Sequence, residues 1–161
     1  MAGRSGVAGK GGVVSSDGAA SLEAAIGAWR TPRALVAEGR AMASVAHAAI
    51  DISDGLACDV GHMAEASVVC AVLDEGALLA DAELERAASA LGASALDLAL
   101  HGGEDYALVV ASPVAVDGFR RIGEVTQGRG VSLRGANGQR PIEPGGFDHF
   151  TSGRPREASG S

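Results

Sequence analysis

Ala48–Ile52 is a short apolar run that passes directly into a segment whose apolar residues, Leu56, Val60, Met63 and Ala64, recur at offsets of four, seven and eight. The run reads as a strand. The segment reads as a helix over Asp54–Ser67, because that spacing places all four side chains on one helical face. Asp59, His62 and Glu65 fall on the remaining face. A period change within so few residues places a strand and a helix side by side; taken with all the elements that follow, a single α+β domain with helices packed on a mixed sheet is expected.

The rest of the chain extends that pattern. Ser21–Trp29 reads as a short helix, and Thr31-Pro32 as the N-cap and first position of a second helix ending near His47. Val68–Leu73 is a continuous apolar run suited to a buried strand, Asp81–Leu91 a helix, and Ser94–Leu100 a further short helix. Ala107–Val110 is strand-like. Phe119–Thr126 and Val131–Arg134 flank a Gln127-Gly128-Arg129-Gly130 turn, and Ala136-Asn137-Gly138 precedes another short strand, so this end reads as a β-meander. Residues 1–18, with six glycines, read as a flexible leader, 19–150 as one domain, and 151–161 as a disordered tail.

The junction itself carries chemistry. Ile50-Asp51-Ile52-Ser53-Asp54-Gly55-Leu56 sets two carboxylates and a hydroxyl where a strand meets a helix N-terminus, a place that favours anions. Asp51 and Asp54 supply the hard oxygens Mg²⁺ prefers, and Mg²⁺ takes one or two carboxylates and fills its shell with phosphate and water. Ser53 can donate to a phosphate oxygen. Helix capping by Ser53 or Asp54 is the alternative for the same residues. A second concentration is His101-Gly102-Gly103-Glu104-Asp105-Tyr106, where paired glycines let the backbone approach a ligand closely; a turn requiring positive φ is its structural alternative.

Composition narrows the partners. A net charge of −7 opposes general nucleic-acid binding, which needs clustered Lys and Arg, and suits an anion binder that works through cations. Two cysteines, Cys58 and Cys70, form neither a zinc spacing nor a disulfide framework and read as small buried hydrophobes. No apolar run reaches membrane-spanning length and the start lacks a signal-peptide core, so no membrane partner and a cytoplasmic location are expected. Gly9-Lys10 does not make a P-loop, since Arg4 stands where its first glycine belongs and Gly11 where Ser or Thr should be.

Taken in order, these elements resemble the C-terminal domain of thiamine-monophosphate kinase, within the two-domain aminoimidazole ribonucleotide synthetase-like superfamily. The resemblance rests on Arg30-Thr31-Pro32-Arg33 with Ala34–Gly39, Ile50–Leu56, Asp59–Ser67, Leu100–Tyr106, Ile122–Thr126 and Gly146-Phe147-Asp148-His149-Phe150, and covers roughly Arg30 to Phe150. It implies Mg²⁺-dependent transfer of the ATP γ-phosphoryl group to thiamine phosphate, giving thiamine diphosphate. Carried over residue by residue, Asp51 and Asp54 become magnesium ligands, Ser53 an ATP contact, and Glu104 and Phe147 contacts to thiamine phosphate.

Departures from the family pattern matter as well. Nothing in the chain corresponds to the family's N-terminal domain, so the partners expected are that domain, or a chain supplying it, and a homodimer. Activity of the chain alone is not expected, and a non-catalytic binding module or truncated-gene fragment is the alternative. Val68-Val69-Cys70 replaces a glycine-containing turn, and the short link from Val110 to Phe119 leaves no room for a helix usual in relatives. Asp51, Ser53, Asp54 and Glu104 are expected along one face.

Overall fold

The computed structural model describes residues 16–143. Six helices, α1 (Ser16–Arg30), α2 (Val36–Met42), α3 (Leu56–Ser67), α4 (Glu75–Leu78), α5 (Ala82–Leu91) and α6 (Ala95–His101), accompany six strands. The strands are β1 (Ala48–Asp51), β2 (Cys70–Asp74), β3 (Leu108–Ala111), β4 (Gly123–Thr126), β5 (Gly130–Gly135) and β6 (Gly138–Ile142). β1 and β3 pair antiparallel as a two-stranded sheet, and the others form a mixed sheet in the order β4-β2-β5-β6. The α+β expectation with a mixed sheet and packed helices therefore holds.

β2 lies at the centre because its sequence, Cys70-Ala71-Val72-Leu73, is apolar on both faces and is buried on both. It runs antiparallel to β4 and parallel to β5. This corrects the β-meander. β4 and β5 are the two arms of the expected hairpin, but they do not pair with each other; β2 sits between them. Their link arches past the start of β2, where a Cβ on Gly128 would meet the Cys70 Cβ at 3.1 Å. Turn chemistry reads only local sequence, and a strand from over fifty residues earlier satisfies both inner edges better. β5 and β6 do form a tight hairpin, with Gly135 opposite Gly138 across Ala136-Asn137.

The core joins the two sheets. Ile52, Leu56, Val60 and Ala64 from the β1–α3 unit pack with Ala71 and Leu73 of β2, Leu100 of α6, and Val131 and Leu133 of β5. The apolar face anticipated for α3 is this contact, apart from Met63, which lies outside the buried cluster. Burial of the Ile, Leu and Val side chains among them contributes about 1.5–3 kcal/mol each. Cys70 is buried as expected, whereas Cys58 is only half-buried.

Helix ends explain two further differences. α5 and α6 begin on side-chain caps, with Asp81 accepting from the Glu83 and Leu84 amides and Ser94 from the Asp97 amide, close to their expected starts. Thr31 does not start α2. Its amide and hydroxyl both donate to the Gly27 carbonyl, at 3.1 and 2.8 Å, which closes α1 instead, and α2 begins only at Val36. α1 also starts earlier than the expected helix, at Ser16, within the segment read as a leader. No helix is found between β3 and β4, as the short link requires.

Val68 ends α3 in the left-handed conformation, φ 56°, its amide donating to the Ala64 and Glu65 carbonyls. That is a glycine's position, and a β-branched residue there costs roughly 1–2 kcal/mol. The side chain is 56% exposed, so little packing offsets the strain. Val68→Gly should stabilise the protein by about 1 kcal/mol, raising Tm by roughly 2–4 °C in calorimetry. A lowered Tm would show that the valine contacts outweigh the backbone strain.

Candidate functional site

The site is assembled by backbone pairing that continues beyond the β1–β3 ladder. Asp51 stands opposite Leu108 at the ladder's end. From there the Ile52 amide donates to the Ala107 carbonyl, the Tyr106 amide to the Ile52 carbonyl, and the Glu104 amide to the Ser53 carbonyl, each at 2.9 Å. The loop after α6 is thereby bound along the loop before α3. Asp51, Ser53, Asp54 and Glu104 are all exposed beside this seam, with Ile52 and Gly55 buried beneath it. The two motifs that sequence spacing left fifty residues apart are neighbours.

Glycine makes that approach close enough. A Cβ on Gly103 would lie 2.6 Å from the Ser53 carbonyl oxygen, and one on Gly55, at φ 110°, would lie 3.2 Å from the His101 backbone. Gly103 is thus explained by contact between two loops, whereas a Cβ on Gly102 would lie 2.5 Å from the Leu98 carbonyl oxygen of α6. Positive φ falls instead on Glu104, at 62°, and Tyr106, at 51°. Non-glycine residues held in that region cost about 1–3 kcal/mol each and concentrate at functional loops.

Neither Ser53 nor Asp54 caps α3. The cap position is Gly55, with no side-chain bond, and the helix starts at Leu56. The residue that organises the junction is Asp59, which sequence reading assigned only to the outer face of α3. Its carboxylate is 3% exposed and accepts the Ser53 and Asp54 amides at 2.9 and 3.0 Å. The helix start is therefore a different anion site from the one expected, since these two donors are occupied by the protein's own carboxylate. An acid in the first turn of an amphipathic helix, a few residues after a loop, was the available signal.

Among the described residues no hydrogen bond or ion pair engages the Asp51 or Asp54 carboxylate. Both present hard oxygen donors suited to Mg²⁺, which accepts one or two such ligands. No three His, Cys, Asp or Glu side chains converge into a metal-holding group among the described residues. The chemistry of these two donors fits a magnesium ion whose remaining ligands are phosphate oxygens and water. Glu104 accepts a hydrogen bond from Trp29 Nε1 at 2.7 Å. Phe147 lies outside the described residues. Desolvation, then the negative charges of Asp59 and Asp54, raise the Cys58 thiol, so it is held as a thiol and not as a nucleophilic thiolate. Partial desolvation likewise raises the Asp105 carboxyl.

Comparison with known proteins finds thiamine-monophosphate kinases by sequence and by fold. The thiamine-monophosphate kinase of Mycobacterium tuberculosis (strain ATCC 25618 / H37Rv) is 46% identical over 101 residues, covering 60% of this chain and 30% of that protein. A solved structure, AaThiL complexed with AMPPCP and TMP, superposes with a TM-score of 0.71 at 32% identity, over 81% of this chain and 42% of that one. The chain resembles the thiamine-monophosphate kinases. It spans less than half the length of these relatives. No protein-family model matches it. Escherichia coli HypE, a hydrogenase maturation protein, shares the fold at 22% identity and a TM-score of 0.52, covering 71% of this chain and 41% of that one. The fold is that of the aminoimidazole ribonucleotide synthetase-like superfamily.

Two substitutions test how the seam is held. Asp59→Ala strands two loop amides and should cost about 1–3 kcal/mol, read as a lower urea midpoint at unchanged slope. Gly103→Ala drives a methyl into the Ser53 carbonyl and should cost a similar ~1–3 kcal/mol. Wild-type midpoints would show that the two loops are not mutually supported.

Proposed function

We propose that this chain is the C-terminal half of a thiamine-phosphate kinase, transferring the ATP γ-phosphoryl group to thiamine phosphate with Mg²⁺ to give thiamine diphosphate. The observation that carries the reading is the seam joining the Ser53–Asp54 loop to Glu104, in a chain resembling the thiamine-monophosphate kinases. The neighbour complexed with AMPPCP and TMP supports a nucleotide and thiamine phosphate as the two ligands. Among the described residues no helix is long and apolar enough to cross a membrane.

The residues suit the chemistry. The acceptor is a phosphate whose second pKa is about 6, so it is largely deprotonated at neutral pH and needs no strong general base. Catalysis then consists of alignment, charge neutralisation and exclusion of water. Asp51 and Asp54 would hold Mg²⁺, which would offset the charge of the phosphate oxygens. The Ser53 hydroxyl donates to the nucleotide's phosphate, and Glu104 and Phe147 contact thiamine phosphate. Asp59 keeps the Ser53–Asp54 loop in one conformation by holding two of its amides. With two carboxylates and an acidic surface, this chain supplies part of the charge-neutralising shell, and the N-terminal domain of a complete kinase, in the same chain or a partner, supplies the rest.

The test is reconstitution. The chain co-purified with the N-terminal portion of a thiamine-monophosphate kinase should form thiamine diphosphate from ATP and thiamine phosphate, and residues 1–161 alone should form none. In the reconstituted enzyme Asp54→Asn should lower turnover ~100-fold, about 2.7 kcal/mol of transition-state stabilisation. Turnover indifferent to Asp54→Asn and to chelation would remove the magnesium role.

A further inference from the structure

Trp29 is the one tryptophan of the chain and sits in the last turn of α1. It is 59% exposed, although an indole is among the side chains that gain most from burial. What holds it is polar: Nε1 donates to Glu104 Oε2 at 2.7 Å. α1 is anchored independently of this contact, since it packs on α5 and Arg86 Nε donates to Ser21 Oγ at 3.1 Å. Thr31 then stops the helix just beyond Trp29 by placing its amide and hydroxyl on the Gly27 carbonyl. Glu104 is equally constrained, with φ 62° and its amide on the Ser53 carbonyl. An open aromatic surface, a carboxylate and the Ser53–Asp54 loop are thus connected by two successive hydrogen bonds.

From this juxtaposition we infer that Trp29 and Glu104 form a recognition site for a cationic heteroaromatic ring, with Trp29 as its specificity-determining residue; assigning that ring to the thiazolium of thiamine phosphate rests on the kinase reading above. An indole face attracts a cation through its quadrupole, and a neighbouring carboxylate adds Coulomb attraction while disfavouring neutral and anionic rings. The hydrogen bond to Glu104 fixes the indole at one edge and leaves most of its surface open. The phosphate of the same ligand would then lie toward Ser53 and Asp54, next along the seam.

The single tryptophan makes the test direct. Intrinsic fluorescence of the whole chain should be quenched saturably by thiamine and by thiamine phosphate, and not by inorganic phosphate. Calorimetry with thiamine phosphate should find Trp29→Phe within about threefold of wild type, and Trp29→Leu and Glu104→Gln each roughly tenfold weaker, with circular dichroism unchanged. Quenching that never saturates, an equal response to inorganic phosphate, or undiminished binding by Trp29→Leu would overturn the assignment. The kinase reading fails or stands separately, on product formation by the reconstituted enzyme. Wild-type turnover there, combined with wild-type thiamine phosphate binding by Trp29→Leu, would overturn the tryptophan site alone.

Discussion

Backbone pairing between residues 51–53 and 104–108 is the constraint on which the rest of the arrangement depends. It extends a four-residue ladder by three hydrogen bonds and so welds the loop before α3 to the loop after α6. Each loop alone would be a surface connection with mobile polar side chains. Joined, they present Asp51, Ser53, Asp54 and Glu104 on a common seam over a buried floor of Ile52 and Gly55. The glycines at 55 and 103 are the steric condition of that union, because a methyl at either would meet backbone that cannot yield cheaply.

Charge is the second organising influence. The chain carries a net −7, and its site concentrates carboxylates where a polyanion is proposed to bind. Asp59 resolves part of that tension by being buried and committed to two amides, so it is a positioning group for the loop. Asp51 and Asp54 remain exposed, which is where a divalent cation can reach them. An arrangement of this kind attracts phosphate only through cations, which is why the proposed chemistry is metal-dependent and shared with protein beyond the residues described.

Much of the fold was legible because its signals are local. The segments Asp81–Leu91 and Ser94–Leu100 marked α5 and α6, the period of Leu56, Val60 and Ala64 marked α3, and the apolar run ending at Leu73 marked a buried strand. The errors concern which partner a segment takes, distant in one case and near in others. Gln127–Gly130 has the chemistry of a hairpin turn, but the pairing of β4 and β5 with β2 depends on residues more than fifty positions away. Thr31-Pro32 has the chemistry of a helix start, but the Gly27 carbonyl claims the threonine first. Period alone assigns Asp59 to the solvent face of α3, although its place in the first turn, just after the loop whose amides it accepts, is a local signal.

The sequence by itself determined that a strand runs into a helix at Asp51–Leu56, that Gly102–Asp105 is a loop of unusual composition, and that the whole resembles part of a thiamine-monophosphate kinase. Spacing and residue type suffice for such statements, since each concerns a few consecutive side chains. Only the tertiary structure decided that the two motifs share one seam, that Asp59 holds the first in place, and that Trp29 reaches Glu104 across 75 positions. The seam and the tryptophan contact join segments that meet only after the core has closed, so no local pattern encodes the distant partner, whereas Asp59 reaches amides only five and six residues away and depends on how the loop turns back.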